Sequence, residues 1–338
     1  MTDTQHALAL FDLITAHRIT ASIYTAAQLG IADALADGPC TAGALSVTVG
    51  APESALRRLL RVLVTIGVCR RAGAGTFALT PVGRHLAGSS PQSLKAWALF
   101  EGKMLQPSWG GLIDSIRGGK TRAELAGVAS SFDLMARDPH SVETFNAAMR
   151  DLTRLTIPGV LAAYDFSGMS RLIDVGGGTG ELLAEVLLAY PSLRGAVFDQ
   201  AACAGEAHAR FCDAGLGDRA AFIAGDFFKS VPGGADALIL KSTIHDWNDD
   251  RSAAILANCR KALPARGKLI LVERIMPEAP ADDADHRSSA LSDLNMLRGP
   301  GGHERTAHEY GVLLNAAGFR IARIVPAGRF SLIEALAA

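Results

Sequence analysis

No apolar run in the 338 residues approaches the roughly 18 that a membrane-crossing helix needs; runs such as Ala237-Leu238-Ile239-Leu240 have the length of a strand. The N-terminus carries Asp3, His6 and Asp12 where a secretion signal would place Lys or Arg ahead of an uninterrupted apolar stretch. Cysteine is scarce and poorly spaced for chemistry. The five, Cys40, Cys69, Cys203, Cys212 and Cys259, are odd in number and form no Cys-x-x-Cys. That argues against a disulfide framework or a structural zinc, and for reduced, mostly buried thiols in a cytoplasmic protein. Charge of either sign is not in excess. Lys and Arg number 33 against 34 Asp and Glu, a net of −1, so the whole chain has no bias towards nucleic acid or an anionic membrane. Internal repeats and low-complexity segments are also missing.

What is present is 49% hydrophobic residues with 20% charged, enough for a sizeable core and too apolar for disorder. The length suggests two domains rather than one. Residues 1–90 read as helical and then briefly β. A short helix is expected over 41–50, and another after Pro52, with Leu56, Leu59, Leu60 and Leu63 at helical spacing and Gly67 as its stop. Two short strands around Gly73-Ala74-Gly75 follow, which makes a winged-helix pattern. Arg57, Arg58, Arg61, Arg70, Arg71 and Arg84 against the single acid Glu53 admit a DNA-binding reading of this piece. A solvated face on a packing or dimerisation module suits the uncharged whole better.

From Arg171 the character changes. Strand-like runs at 172–175, 195–199, 220–224, 236–241 and 268–273 alternate with amphipathic helices, among them 181–190 and 250–263. Continuous apolar strands with helical crossovers imply a parallel sheet covered on both faces. The last two strand-like runs suggest an antiparallel edge hairpin. The polar stretch 278–286, with Asp282, Asp283, Asp285 and His286, reads as a solvated loop and not a metal site.

The sharpest local signal is Asp174-Val175-Gly176-Gly177-Gly178-Thr179-Gly180, between an apolar strand and a helix. Glycines there allow a tight turn and close approach of backbone to a ligand. Asp199 ends the next strand, 19 residues after Gly180, where a carboxylate can accept from both hydroxyls of a ribose. The spacing is not the dinucleotide fingerprint, which would require a third glycine at the position of Glu181. Glu181 would also repel a diphosphate. A sulfonium with an ammonium–carboxylate tail suits Asp174 better, which favours S-adenosylmethionine over a nicotinamide dinucleotide. Gly225-Asp226-Phe227-Phe228 follows the third strand, placed to meet an adenine. The fourth strand ends at Lys241 and runs into Ser242-Thr243-Ile244-His245-Asp246-Trp247. His245 thus lies at the carboxyl edge of the sheet, where open parallel sheets bind ligands. Adjacent Asp246 and the strand-terminal Glu273 would raise its basicity.

The segments LIDVGGGTG, VFD, GDFF, LKSTIHDWNDD, LVERIMPE and GGHERT resemble the small-molecule O-methyltransferases of the plant caffeate and flavonoid type and their bacterial relatives in pigment and antibiotic biosynthesis. Coverage is nearly the full chain, and His-Asp-Trp after the fourth strand with the Gly-Gly-x-Glu-Arg-Thr run is the specific part. The resemblance implies an α/β fold: a Rossmann-like parallel sheet plus a mainly α winged-helix domain. It implies a winged-helix homodimerisation domain at 1–95, a helical connector at 96–165 that contributes to an acceptor pocket, and a catalytic domain at 166–338. Asp174, Gly176, Gly178, Asp199, Asp226, Phe227 and Lys241 would then bind S-adenosylmethionine, with Trp247 near the adenine. His245 would be the base, flanked by Glu273 and Glu304. Phe100, Phe145, Met149, Asn295 and Met296 would fall at the pocket for a small aromatic acceptor. Gln200 and Phe227 depart from the plant pattern. A non-methylating, N-methylating or carboxyl-methylating member of the fold, or a winged-helix regulator, would be the alternatives.

The chemistry sets a requirement. A phenol with a pKa near ~10 and an ordinary imidazole near ~6.5 leave proton transfer uphill by about 5 kcal/mol. Carboxylates beside His245 would narrow that gap.

Overall fold

The computed structural model describes residues 2–128 and 130–338. They fall into two compact units: residues 2–110 with 138–152, and residues 111–128 and 130–137 with 153–338. This differs from a division at 95 and 165. The expected connector is shared out, because its segment 138–152 packs with the N-terminal residues while 111–137 packs with the sheet.

The first unit holds helices Asp3–Thr15, His17–Gln28, Ala42–Val49 and Glu53–Thr65 and a small sheet. Its strands β1 (Cys40–Thr41), β2 (Cys69–Gly73) and β3 (Thr76–Leu79) lie in the order β1-β3-β2. Helix Glu53–Thr65 buries Leu56, Leu60 and Leu63, one apolar stripe. Arg57, Arg58, Arg61, Arg70, Arg71 and Arg84 are all exposed. Helix Asp3–Thr15 buries no residue and exposes Leu8, Phe11 and Leu13 by more than half.

The second unit holds β4 (Arg171–Val175), β5 (Arg194–Asp199), β6 (Ala220–Ala224), β7 (Ala237–Lys241) and β8 (Lys268–Glu273), all parallel. Two short strands, β9 (Ile275–Met276) and β10 (Arg305–Thr306), pair with each other. The edge hairpin is β11 (Phe319–Ala327) and β12 (Phe330–Ala337). The large sheet has the order β11-β12-β8-β7-β4-β5-β6, with β12 antiparallel to both neighbours. Its middle strands are buried along nearly their whole length, and alternate residues feed opposite layers. Leu172, Val197, Ile239 and Ile270 pack under helix Glu181–Ala189. Ile173, Phe198, Leu240 and Leu271 pack under helices Asp249–Ala262 and Ala307–Ala316. The chain leaves β4 towards β5 on one side and returns to β7 on the other, so the strand order reverses at β4. That is where sheets of this kind open a ligand crevice at their carboxyl ends.

Three local expectations change. Residues 284–286 are not loop: helix Ala284–Arg298 begins there because Asp283 caps it, accepting from the backbone N–H of Asp285 and His286. Only Cys69 and Cys259 are buried, and Cys212 is exposed. Glu181 does not stand as a bare negative charge at its helix start. It pairs with Arg154 at 2.6 Å and Arg210 at 2.6 Å, so the repulsion it would offer a diphosphate is largely compensated. Among the described residues no helix is long and apolar enough to cross a membrane.

Candidate active site

The β4 strand delivers Asp174 and then the glycine turn. Gly176 and Gly178 have φ of 74° and 56°, a backbone that L side chains rarely adopt. A Cβ on Gly176 would meet Thr243 Oγ1 at 3.0 Å, while one on Gly178 would have no protein atom within 4 Å. The turn therefore offers bare backbone on its outer side. Asp199, at the end of β5, holds it from behind: Oδ2 accepts from Gly178 N–H at 2.7 Å and Oδ1 from Gln200 N–H at 2.6 Å. Asp174 lies beneath, 1% exposed, and both its carboxylate oxygens lack a hydrogen-bond partner. Burial pushes its pKa up to about 7, opposed by the Lys241 charge and assisted by that of Asp199. Lys241, half-buried, is pulled down by desolvation against the attraction of Asp174, Glu273 and Asp246.

After β6, Asp226 Oδ1 accepts from Phe228 N–H at 2.9 Å, which turns the chain. Phe227, Phe228 and Trp247 then form an aromatic group, with centroids of Phe227–Phe228 and Phe228–Trp247 at 4.9 and 4.8 Å. The Arg251 guanidinium lies 4.2 Å over Phe228 and 4.4 Å over Trp247. Asn258 Nδ2 donates to the carbonyls of Phe227 and Phe228. Sequence reading missed Arg251 and Asn258. They project from the helix that follows His-Asp-Trp, and only the fold brings that helix to the aromatic pair.

Past β7 the backbone strains. Ser242 is the one non-glycine residue with positive φ among those described, at 50°. The next turn, Ile244–Asp246, presents His245, whose side chain is 11% exposed. Its Nδ1 faces Glu304 Oε1 at 3.2 Å and Glu273 Oε2 at 3.5 Å; its Nε2 lies 3.6 Å from Asp246 Oδ1. Glu273 does double duty: its Oε1 also accepts from the N–H of Thr243 and of Ile244, at 2.9 and 2.8 Å. Glu304 is set by Ser292, which donates to Oε1 at 2.6 Å, and by Asp293, whose carboxylate accepts its backbone N–H at 2.9 Å. These two residues were also missed, since nothing local ties them to a carboxylate eleven or twelve positions on. Burial lowers the basicity of His245, but the charges of Glu273, Glu304 and Asp246 outweigh it and push the imidazole up to about 10. Burial with mutual repulsion raises Glu273, and pushes Asp246 up to about 6. Glu304 goes down, since its pairing with His245 and Ser292 exceeds its own desolvation.

The profile of the O-methyltransferase domain matches residues 109–320, and that of the O-methyltransferase dimerisation domain residues 11–89. The chain belongs to the O-methyltransferase family. This O-methyltransferase is 38% identical to the phenazine O-methyltransferase PhzM of Lysobacter antibioticus, over 96% of this chain and 95% of the relative. It shares 31% identity and a TM-score of 0.77 with the O-methyltransferase NcsB1 from neocarzinostatin biosynthesis, solved with S-adenosylmethionine and 2-hydroxy-5-methyl naphthoic acid, over 94% and 96% of the two chains. It is also 33% identical, over 89% of this chain and 81% of the relative, to the aclacinomycin 10-hydroxylase RdmB of Streptomyces purpurascens. The cofactor of the family is S-adenosylmethionine.

The residues present fit that cofactor. A buried carboxylate without a partner at Asp174, bare glycine backbone, and a second carboxylate at Asp199 together suit a cationic nucleoside. The candidate acceptor residues are placed less simply. Asn295 and Met296 belong to the sheet unit, where Asn295 Oδ1 accepts from Arg298 and Met296 is 7% exposed. Phe100, Phe145 and Met149 belong to the first unit. Phe145 and Met149 lie one turn apart on helix Pro139–Ala163, and the Phe145 ring meets Phe100 edge-on at 5.7 Å.

Proposed function

We propose that this O-methyltransferase methylates a hydroxyl of a small aromatic acceptor, with His245 as the base and Glu273 and Glu304 tuning it. The observation that carries this is the imidazole at the carboxyl edge of the sheet, held between three carboxylates. A base pushed up to about 10 matches a phenol near ~10, so the transfer itself is close to level and the uphill step becomes freeing the imidazole of its own proton. With Nδ1–H donated to Glu304, the lone pair sits on Nε2, the nitrogen left to accept the acceptor's proton. His245 must first give up the proton it holds at neutral pH, and any cation brought beside the carboxylates weakens that hold. S-adenosylmethionine supplies the electrophilic methyl group. Asp199 would hold the ribose hydroxyls, Asp226 and Phe227 the adenine, with Trp247 close by. Asp174 would compensate the positive charge, and Lys241 would offset the negative charge of Asp174 and Glu273.

Aromatic acceptors are favoured because the phenazine enzyme and the naphthoate-bound structure are named for them. Residues 1–95 we read as the dimerisation module of a homodimer, in keeping with the matched domain and the exposed apolar helix Asp3–Thr15. The test is transfer of isotope-labelled methyl from the donor to a panel of phenols, hydroxynaphthoates and hydroxyphenazines. Labelled ether in the product supports the proposal. Label on nitrogen or carboxylate, or acceptor converted without label, as in a hydroxylase, contradicts it.

Asp174 gives a pH signature. Near neutrality its carboxyl is part-protonated, and a cationic ligand prefers it ionised. Donor affinity should therefore rise with pH through about 7, by up to about tenfold per pH unit below that point, and binding should release protons. Calorimetry in buffers of different ionisation heat measures both. Asp174→Asn should weaken binding and flatten the dependence; an unchanged slope in that variant would remove Asp174 from the site.

A further inference from the structure

The His245 turn is gripped from the side by a residue that touches no reacting group. Arg305 follows Glu304 directly, and its side chain is 1% exposed. Its Nη1 donates to Ile244 O at 3.2 Å and its Nη2 to Trp247 O at 2.9 Å, the two carbonyls that bracket His245 and Asp246. The same guanidinium reaches Asp249 Oδ1 through Nε at 3.0 Å and Nη2 at 2.7 Å, and Ser252 Oγ at 3.3 Å. Asp249 opens helix Asp249–Ala262, so the turn is tied to the start of a helix packed on the sheet. Only the planar fork of an arginine reaches this many acceptors at once. Three residues upstream, Gly302 lies so close that a Cβ would stand 2.0 Å from His245 O and 2.4 Å from Trp247 N. Between β9 and β10, Arg305 pairs with Ile275, two positions past Glu273. The strand that begins at Arg305, directly after Glu304, is thereby fixed in register with the segment that leaves Glu273.

We infer that Arg305, with Gly302 as its spacer, is a positioning residue of the methyl-transfer reaction. Glu304 fixes the imidazole ring through Nδ1, and Arg305 fixes the backbone from which that ring projects. One dipeptide thus sets both the tautomer of His245 and the place of its Nε2. A buried guanidinium costs desolvation that a packed apolar side chain would not, which a site under no positional demand has no reason to carry. This inference rests on the reading of His245 as the base.

The test is a double-mutant cycle between Arg305→Lys and His245→Gln, with single-turnover rates and donor affinity measured for each folded variant. Lysine keeps the charge near Asp249 but does not bridge both carbonyls. Arg305→Lys alone should lower the rate about 10- to 100-fold, the effect of a displacement near an ångström, with the donor Kd changed less than threefold. In the His245→Gln background the same substitution should cost nothing further. A full multiplicative loss in that background, a parallel loss of rate and donor affinity, or a wild-type rate in Arg305→Lys would each overturn the inference. Should Arg305→Lys fail to fold, Gly302→Ala presses on the same turn without touching the guanidinium and should show the same non-additivity. Failure of the base reading looks different: His245→Gln would itself turn over at the wild-type rate.

Discussion

The His245→Gln variant should bind the methyl donor within about threefold of the wild type and methylate acceptor roughly 1,000-fold more slowly, in the range that removal of a general base produces. Glutamine keeps a polar side chain of similar reach facing Glu304, and avoids leaving three carboxylates around a void as alanine would. The loss should fall on kcat rather than on KM, because the group acts on the proton that leaves as the new bond forms. The variant should also respond to acceptor acidity. Nitrophenols, already ionised at neutral pH, should recover much of the lost rate, since they need no base. Steady-state kinetics with a series of phenols of graded pKa measures this, and a uniform loss across the series would contradict the assignment.

The second large effect is expected at Asp199. Its carboxylate accepts from Gly178 and Gln200 and retains lone pairs for two ribose hydroxyls. Hydrogen bonds to a charged acceptor contribute about 1.5–3 kcal/mol each, so Asp199→Ala should raise the donor Kd at least about 100-fold. The substitution also releases the N–H of Gly178, which loosens the glycine turn. Asp199→Asn should be milder, because the amide oxygen still accepts one bond. Calorimetry with S-adenosylhomocysteine, which carries the ribose without the sulfonium charge, isolates this contribution. Equal affinities for wild type and Asp199→Ala would show that the carboxylate faces elsewhere.

The two substitutions separate the functions of the two halves of the crevice. Asp199 stands after β5 on one side of β4, and His245 after β7 on the other. A parallel sheet whose order reverses at β4 brings the two ends to one edge. Binding and proton removal can therefore be damaged independently, and the contrast between a Kd effect and a kcat effect checks the division.

Much of this was legible in the sequence for a local reason. The strands from β4 to β8 are short, largely apolar runs, and four of the five carry a residue with its own chemistry at or next to their last position: Asp174, Asp199, Lys241 and Glu273. Run length together with the terminal charge places them. The edge hairpin and the small wing follow from alternation and glycine turns in the same way. What could not be read depends on residues far apart in the chain. The compensation of Glu181 by Arg154 and Arg210 joins segments 27 and 29 positions apart. The grip of Arg305 on the His245 turn spans about 60 positions, and a buried arginine looks no different in sequence from a surface one. The division of the chain was obscured likewise, because helix Pro139–Ala163 has an unbroken pattern while its first half packs with the N-terminal unit. The helix start at Asp283 was hidden in a run of acids whose capping role shows only in the backbone.

The account as a whole turns on where the acceptor oxygen lies relative to one imidazole nitrogen. A crystal structure of the ternary complex with S-adenosylhomocysteine and a methylatable phenol measures that directly. The account predicts the phenolic oxygen within about 2.6–3.2 Å of His245 Nε2, with Nδ1 still on Glu304. A phenol bound with its oxygen out of reach of that nitrogen, or held instead by Lys241 or Asp246, would contradict it.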